Sequence, residues 1–142
     1  MKFFLLFFAG LHTLIYRLSR GRLWARMIGI PVLLLTTTGR KTGKRHIKPL
    51  GYFNDRGNYV IIASNGGSDH HPAWFLNLRA NPQVTIQIQD RILEAHTEIA
   101  SLEERQRLWE MLIRLAPSYG SYEKRTRRVI PMIVLKPQPS PE

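Results

Sequence analysis

The 142-residue sequence contains no cysteine. Disulfides, thiolate nucleophiles, thiolate zinc sites and cysteine-ligated iron–sulfur clusters are excluded together. No acidic residue precedes Asp55. Residues 1–48 carry ten basic side chains and the remaining 94 carry eleven basic and ten acidic ones, so the net charge of +11 is an N-terminal field. Such a field attracts nucleic acid, an anionic membrane surface or an acidic small ligand. No uncharged apolar run reaches the roughly 20 residues of a membrane-spanning helix. His12, His46, His70, His71 and His96 show no H-x-x-x-H or histidine–carboxylate spacing, so no metal site is expected. No serine sits in G-x-S-x-G, and there is no internal repeat or low-complexity linker.

What remains is one domain's worth of chain, 44% apolar and 22% charged, which suits a single folded core. Phe4, Phe7, Phe8, Leu11, Leu14, Ile15 and Leu18 recur at helical spacing, and Arg17, Arg20, Arg22 and Arg26 follow. An apolar stripe beside an arginine cluster is the pattern of a helix lying in a membrane interface. A helix packed on the domain is the competing reading. Six apolar residues in a row, Phe3 to Phe8, exceed one helical face and favour lipid. A signal peptide is disfavoured by the absence of an A-x-A cleavage site.

Beyond Pro31 the pattern turns to strands: Val32–Thr38, His46–Phe53, Asn58–Ala63, Gln83–Gln89, Ile92–Ala100 and Val129–Leu135. Loops are expected at Gly39–Gly43, Asn54–Gly57 and Ser64–Asp69, and a turn at Asp90-Arg91. Two helices are expected between strands. One follows Pro72 and ends at Asn81-Pro82; the other starts at the capping box Ser101-x-x-Glu104 and stops at Pro117. Tyr119 to Thr126 reads as a short aromatic segment. The fold class is α+β, mainly β: a split antiparallel barrel of about six strands with helices at its ends and an N-terminal amphipathic helix. The boundaries expected are residues 1–28 for that basic helix, 29–136 for the barrel domain and 137–142 for a loose tail.

Thr36–Pro49 reads T-T-T-G-R-K-T-G-K-R-H-I-K-P. It is not a P-loop: Gly39 and Gly43 are one residue too close, Arg45 stands where Ser or Thr belongs, and a strand follows. It is a glycine turn beside five cations, Arg40, Lys41, Lys44, Arg45 and Lys48. This suits a phosphate or several carboxylates, although the run taken alone favours a solvated basic turn. Ser64-Asn65-Gly66-Gly67 lets backbone approach a flat ligand closely, or merely connects strand to helix. Trp74 and Asn77 lie at i and i+3, and an asparagine has no intrinsic reason to sit mid-helix. Tyr119 and Tyr122 share the same spacing, in an expected helical turn, and either wall a pocket or cover a barrel end. A nucleic-acid-binding barrel predicts aromatics among the cations, yet residues 39–50 offer only His46, so no nucleic-acid partner is expected.

In order along the chain stand V-L-L-L-T-T-T-G-R-K-T-G (32–43), P-L-x-Y (49–52), A-S-N-G-G (63–67), H-P-A-W-F-L-N-L-R-A-N-P (71–82), P-S-Y-G-S-Y (117–122) and I-P-M-I-V-L (130–135). This set resembles the deazaflavin (coenzyme F-420)-dependent nitroreductase and quinone reductase family of split β-barrel oxidoreductases, over roughly residues 20–136. The resemblance implies an oxidoreductase that transfers a hydride from reduced coenzyme F-420 to a quinone such as menaquinone, with nitroaromatics and activated alkenes as further acceptors. The coenzyme is an 8-hydroxy-5-deazaflavin carrying a phosphodiester and a polyglutamate tail. By position, Arg40, Lys41 and Thr42 are expected at the phosphate and tail, with Lys44 nearby. His46, Ile47, Lys48, Pro49, Leu50 and Gly51 run along the cofactor. Ile62, Ala63, Ser64 and Asn65 line the ring, and Ala73, Trp74, Phe75, Leu76 and Asn77 flank it. Tyr119 closes the pocket and Tyr122 faces the acceptor. Ser64, Tyr119 and Tyr122 are the candidate catalytic residues.

The sequence departs from the family pattern at three positions. His46 stands in place of a phosphate-contacting arginine, Gly51 in place of a pocket tyrosine, and Ala116 in place of a third tyrosine. The last two are expected to enlarge the acceptor site. The resemblance also implies a cytoplasmic protein held at the inner face of the cell membrane through residues 3–26, and a homodimer. The alternatives are a split barrel using FMN, which lacks the acidic tail, and a non-catalytic module that binds deazaflavin or lipid.

Overall fold

The structure is a computed structural model that describes residues 26–27 and 29–139. The expected basic amphipathic helix of residues 1–28 lies outside these residues except at its end, where Arg26–Met27 form a strand and not helix. Seven strands follow one another: β1 (Arg26–Met27), β2 (Ile30–Thr38), β3 (Arg45–Asp55), β4 (Asn58–Ile62), β5 (Gln83–Ile88), β6 (Arg91–Ile99) and β7 (Met132–Pro137). Among the described residues a 3-10 turn (Asn65–Gly67) and three α-helices interrupt them: α1 (Ala73–Ala80), α2 (Leu102–Leu115) and α3 (Tyr119–Arg125). All pairings are antiparallel, in the order β2-β3-β4-β7-β6-β5. β5 pairs back onto β2 through Leu34↔Gln87 to Thr36↔Thr85, which closes a six-strand barrel. The short β1 pairs with the start of β2.

Alternation along the strands sorts side chains between two cores. Leu33, Leu35, Tyr52, Ile61, Val84, Ile86, Ala95, Ile133 and Leu135 fill the barrel, and α1 joins them with Trp74, Phe75 and Leu78. The neighbouring positions Phe53, Val60, Ile62 and Met132 face outward and are covered by Leu108, Trp109 and Leu112 of α2 and Tyr119 of α3. Burying one such leucine stabilises the fold by roughly 1.5–3 kcal/mol. β2 is apolar on both faces because both are buried, so its sequence reads as a run rather than an alternation.

Ser101 caps α2, its hydroxyl accepting from the Glu104 amide at 3.2 Å. The Glu104 carboxylate does not return to the cap but pairs with Arg107, which also donates to Asp55 Oδ2 at 2.7 Å. That bond ties α2 to the end of β3 and holds the Asp55 carboxyl below its ordinary pKa.

Several boundaries differ from expectation. β3 runs on to Asp55, and the hairpin turns on Arg56 and Gly57 alone, both with positive φ (53° and 81°). The next hairpin turns at Gln89-Asp90, one residue before the expected place. The helical turn expected at Tyr119 and Tyr122 extends into a third inserted helix, Tyr119–Arg125. β7 begins at Met132, not Val129, because Pro131 has no N–H for the ladder and its carbonyl instead accepts from Ala63 N at 3.0 Å. The strand also continues into the expected tail: Pro137 pairs with Ala95, and Gln138 N donates to Glu94 O at 2.9 Å.

Candidate active site

Two cavities flank Trp74, at the end of the barrel that α1 closes. The first measures about 280 Å³ and is lined by the β2–β3 turn, by His46 and Lys48 of β3, and by Ala73, Trp74 and Asn77 of α1. Gly39 and Gly43 close the turn: Gly39 N donates to Lys44 O at 2.7 Å, and Gly43 N donates to Gly39 O at 2.9 Å with its own φ at +73°. A side chain at Gly39 would place its Cβ 2.9 Å from His46 Nε2. Asn77 is 5% exposed, and its Oδ1 accepts from Arg40 N (3.2 Å) and Arg40 Nη1 (2.9 Å). Its Nδ2 donates to Thr37 Oγ1 at 3.4 Å. The mid-helix asparagine thus fixes both the backbone and the side chain of Arg40. Among the described residues no carboxylate pairs with Arg40, Lys41, Lys44, Arg45 or Lys48.

The second cavity measures about 350 Å³. Pro49, Leu50 and Gly51 of β3, Ile62 at the end of β4 and Trp74 of α1 form its apolar walls. Ser64, Asn65 and Gly66 form its rim, and Tyr119 and Tyr122 of α3 close it. The 64–68 turn is tight, with Asn65, Gly66 and Gly67 all at positive φ (47°, 65° and 83°). A Cβ on Gly67 would sit 3.0 Å from Arg125 Cβ, so only glycine lets α3 pack this closely. The Ser64 hydroxyl makes no hydrogen bond to the turn it starts. Tyr119 is 5% exposed and meets Tyr122 edge-on, with ring centroids 5.4 Å apart. Burial, and then Tyr122, push the Tyr119 phenol up to about 12, so it stays protonated at every physiological pH. Gly51 makes room for this hydroxyl: a Cβ there would lie 3.1 Å from Tyr119 Oη and 2.7 Å from Ile30 Cδ1.

A profile of the F420H(2)-dependent quinone reductase family matches residues 9–137. The chain belongs to this family. An F420H(2)-dependent quinone reductase of Mycobacterium tuberculosis is 38% identical over 129 residues, covering 88% of this chain and 87% of that protein. A solved F420-H2 dependent reductase, FDR-A, is 36% identical with a TM-score of 0.68, over 75% of this chain and 94% of its own. Another solved chain, described as a domain-swapped dimer, is 32% identical with a TM-score of 0.70, over 87% and 94%.

The donor set suits the coenzyme of the F420H(2)-dependent family. Cations without acidic partners line one cavity, as a phosphodiester with carboxylates requires. The adjoining cavity is walled by aliphatic and aromatic side chains, as a flat ring requires.

Sequence-predicted residues divide accordingly. Arg40, Lys41, Thr42, His46, Lys48, Ala73 and Asn77 line the cationic cavity. Pro49, Leu50, Gly51, Ile62, Ser64, Asn65, Tyr119 and Tyr122 line the apolar one, and Trp74 lines both. Five lie elsewhere. Ile47 faces the opposite side of the sheet, against Val32 and Leu34, because it alternates with His46 and Lys48. Ala63, Phe75 and Leu76 belong to the barrel core, and Lys44 stands exposed on the turn. Ala116 caps α2 and is buried in the outer core, so it lines neither cavity. Gly39 and Gly66, which belong to the two glycine loops expected to approach a ligand, line the cavities, and so does Pro72, read in the sequence only as a helix start. Arg128 was also overlooked; it holds the rim from behind.

Proposed function

We propose that this chain uses reduced coenzyme F-420 as hydride donor to a quinone bound on the Tyr122 side of the apolar cavity. One observation carries the reading: an unpaired cation cluster and an apolar, phenol-capped slot share Trp74 as their wall. When bound, the reduced coenzyme supplies a hydride, which favours two-electron over one-electron chemistry. The protein holds and orients. Arg40, Lys41 and Lys48 grip the anionic tail, with Arg40 pre-set by Asn77. Ile62 and Trp74 wall the ring and exclude water. Negative charge develops on the quinone oxygen as it is reduced. A phenol held near 12 meets it as a hydrogen-bond donor rather than by giving up its proton outright. Ser64 supplies a second hydroxyl at the rim.

Menaquinone is the acceptor that best suits a chain with a basic, phenylalanine-rich N-terminus. We place the protein at the inner face of the cell membrane through residues 3–26, as a homodimer like the domain-swapped relative. The test is titration with oxidised coenzyme F-420 beside FMN at equal salt, followed by reduction of a naphthoquinone. Tight deazaflavin binding, weakened about tenfold by Lys41→Ala, is the expected result. Preference for FMN, or binding of neither, overturns the proposal.

A further inference from the structure

Behind the rim of the apolar cavity sits a half-buried cation that the chemistry above does not use. Arg128 Nη2 donates to Ala63 O at 3.0 Å and to Ser64 O at 2.9 Å. Its Nε donates to Ser68 O at 2.9 Å, and its Nη1 to His71 Nδ1 at 3.2 Å. A guanidinium has no acceptor, so His71 accepts at Nδ1 and carries its proton on Nε2. No carboxylate pairs with Arg128 among the described residues. Its own segment is pinned in turn: Arg128 N donates to Thr126 Oγ1 at 3.3 Å, and Thr126 Oγ1 donates to Asp69 Oδ1 at 2.9 Å.

A half-buried cation with no carboxylate beside it costs desolvation, and a single surface turn does not need one. What Arg128 joins is wider than the turn. It links the segment just after α3, which carries Tyr119 and Tyr122, to the Ala63–Ser68 rim and to His71, two residues before the start of α1 and Trp74. Three walls of one cavity therefore meet at one guanidinium. Trans peptides send N–H and C=O in opposite directions. With the carbonyls of Ala63 and Ser64 drawn to Arg128, the amides of Ser64 and Asn65 point away from it, and both residues line the cavity. A cation bonded to a carbonyl also polarises the amide of the same peptide.

We propose that Arg128 is a positioning residue for hydride transfer: it fixes the rim of the cavity and makes the Ser64 and Asn65 amides stronger donors towards charge developing on the acceptor. This rests on the quinone reductase reading.

The test compares the full-length wild type with Arg128→Lys and Arg128→Met. It measures F-420 affinity, thermal melting, and kcat and KM for a soluble naphthoquinone. Arg128→Met is expected to lower kcat on the order of 10²-fold, as loss of oriented donors does elsewhere. Its F-420 affinity should stay near wild type, because none of the residues that Arg128 bonds lines the cationic cavity. Millimolar guanidinium, but not equal sodium chloride, should restore part of the rate. Arg128→Lys keeps the charge but gathers its donors on one nitrogen and loses the fork, so it should fold and still be slow. A wild-type kcat in Arg128→Lys, or a loss of rate matched by loss of F-420 binding and untouched by guanidinium, overturns the proposal. Should the wild type itself reduce no quinone, the functional reading falls and takes this proposal with it; the two failures are told apart by the wild-type lane.

Discussion

The phenol of Tyr119 is the residue on which rate should depend most. Its hydroxyl lies over the space that Gly51 leaves and stays protonated because burial opposes ionisation. Tyr119→Phe keeps the ring and the packing and removes the donor. It should lower kcat for quinone on the order of 10²-fold while leaving F-420 affinity in place, read by steady-state kinetics beside titration. His71 offers a different readout. Burial, and then Arg128 and Arg79, hold its pKa below the ordinary 6.5. A histidine harder to protonate when folded contributes stability as the neutral base; that contribution is whole above the unfolded value and is lost as pH falls below it. Melting temperature should therefore drop on acidification below 6.5, and His71→Asn, which keeps an acceptor but cannot titrate, should flatten the slope. An unchanged slope would mean His71 has no part in it. At this scale the sequence was legible where a residue violated its local preference. Asn77 stood out because a helix interior gives it nothing to do, and its partners prove to be Arg40 and Thr37. Arg128 was not legible, since its partners lie 57 to 65 residues away and three of them are backbone carbonyls, which no side-chain pattern marks.

Elements were readable where punctuation was strong. The capping box placed α2 to the residue, and Ser101→Ala should cost about 1 kcal/mol, measured by denaturant melts. Proline misled in the last strand: Pro131 lies inside an apolar run that reads as strand, but without an N–H it can only precede the ladder. α3 was legible only as a helical turn at Tyr119 and Tyr122, because Y-G-S-Y has poor helix propensity and contains a glycine. It forms because packing compensates: Tyr119 is buried in the outer core, and the helix lies on Gly67. Closure of β5 onto β2 is a long-range pairing that no local window contains, so it could be expected only from strand count.

At the scale of the whole molecule the decisive feature is charge placed on one side of the sequence. Among the described residues no helix is long and apolar enough to cross a membrane. The proposed contact with lipid therefore depends on the phenylalanines and arginines of residues 3–26. The full chain should co-sediment with vesicles rich in anionic phospholipid, release at high salt, and lose binding when Phe3, Phe4, Phe7 and Phe8 are changed to serine. Sedimentation equal to the wild type in that variant removes the membrane from the account.

The indole of Trp74 lines both cavities, and in the proposed reaction it stands between the one that holds charge and the one where charge moves. Contacts to an anionic tail are the same before and during reaction, so they set how much coenzyme is needed and not how fast it reacts. In the proposed reaction, contacts at Tyr119 and Ser64 strengthen only as the acceptor is reduced. Under that proposal affinity and turnover are written in different residues on opposite sides of one side chain, and selection can tune the chain to a scarce coenzyme without slowing it.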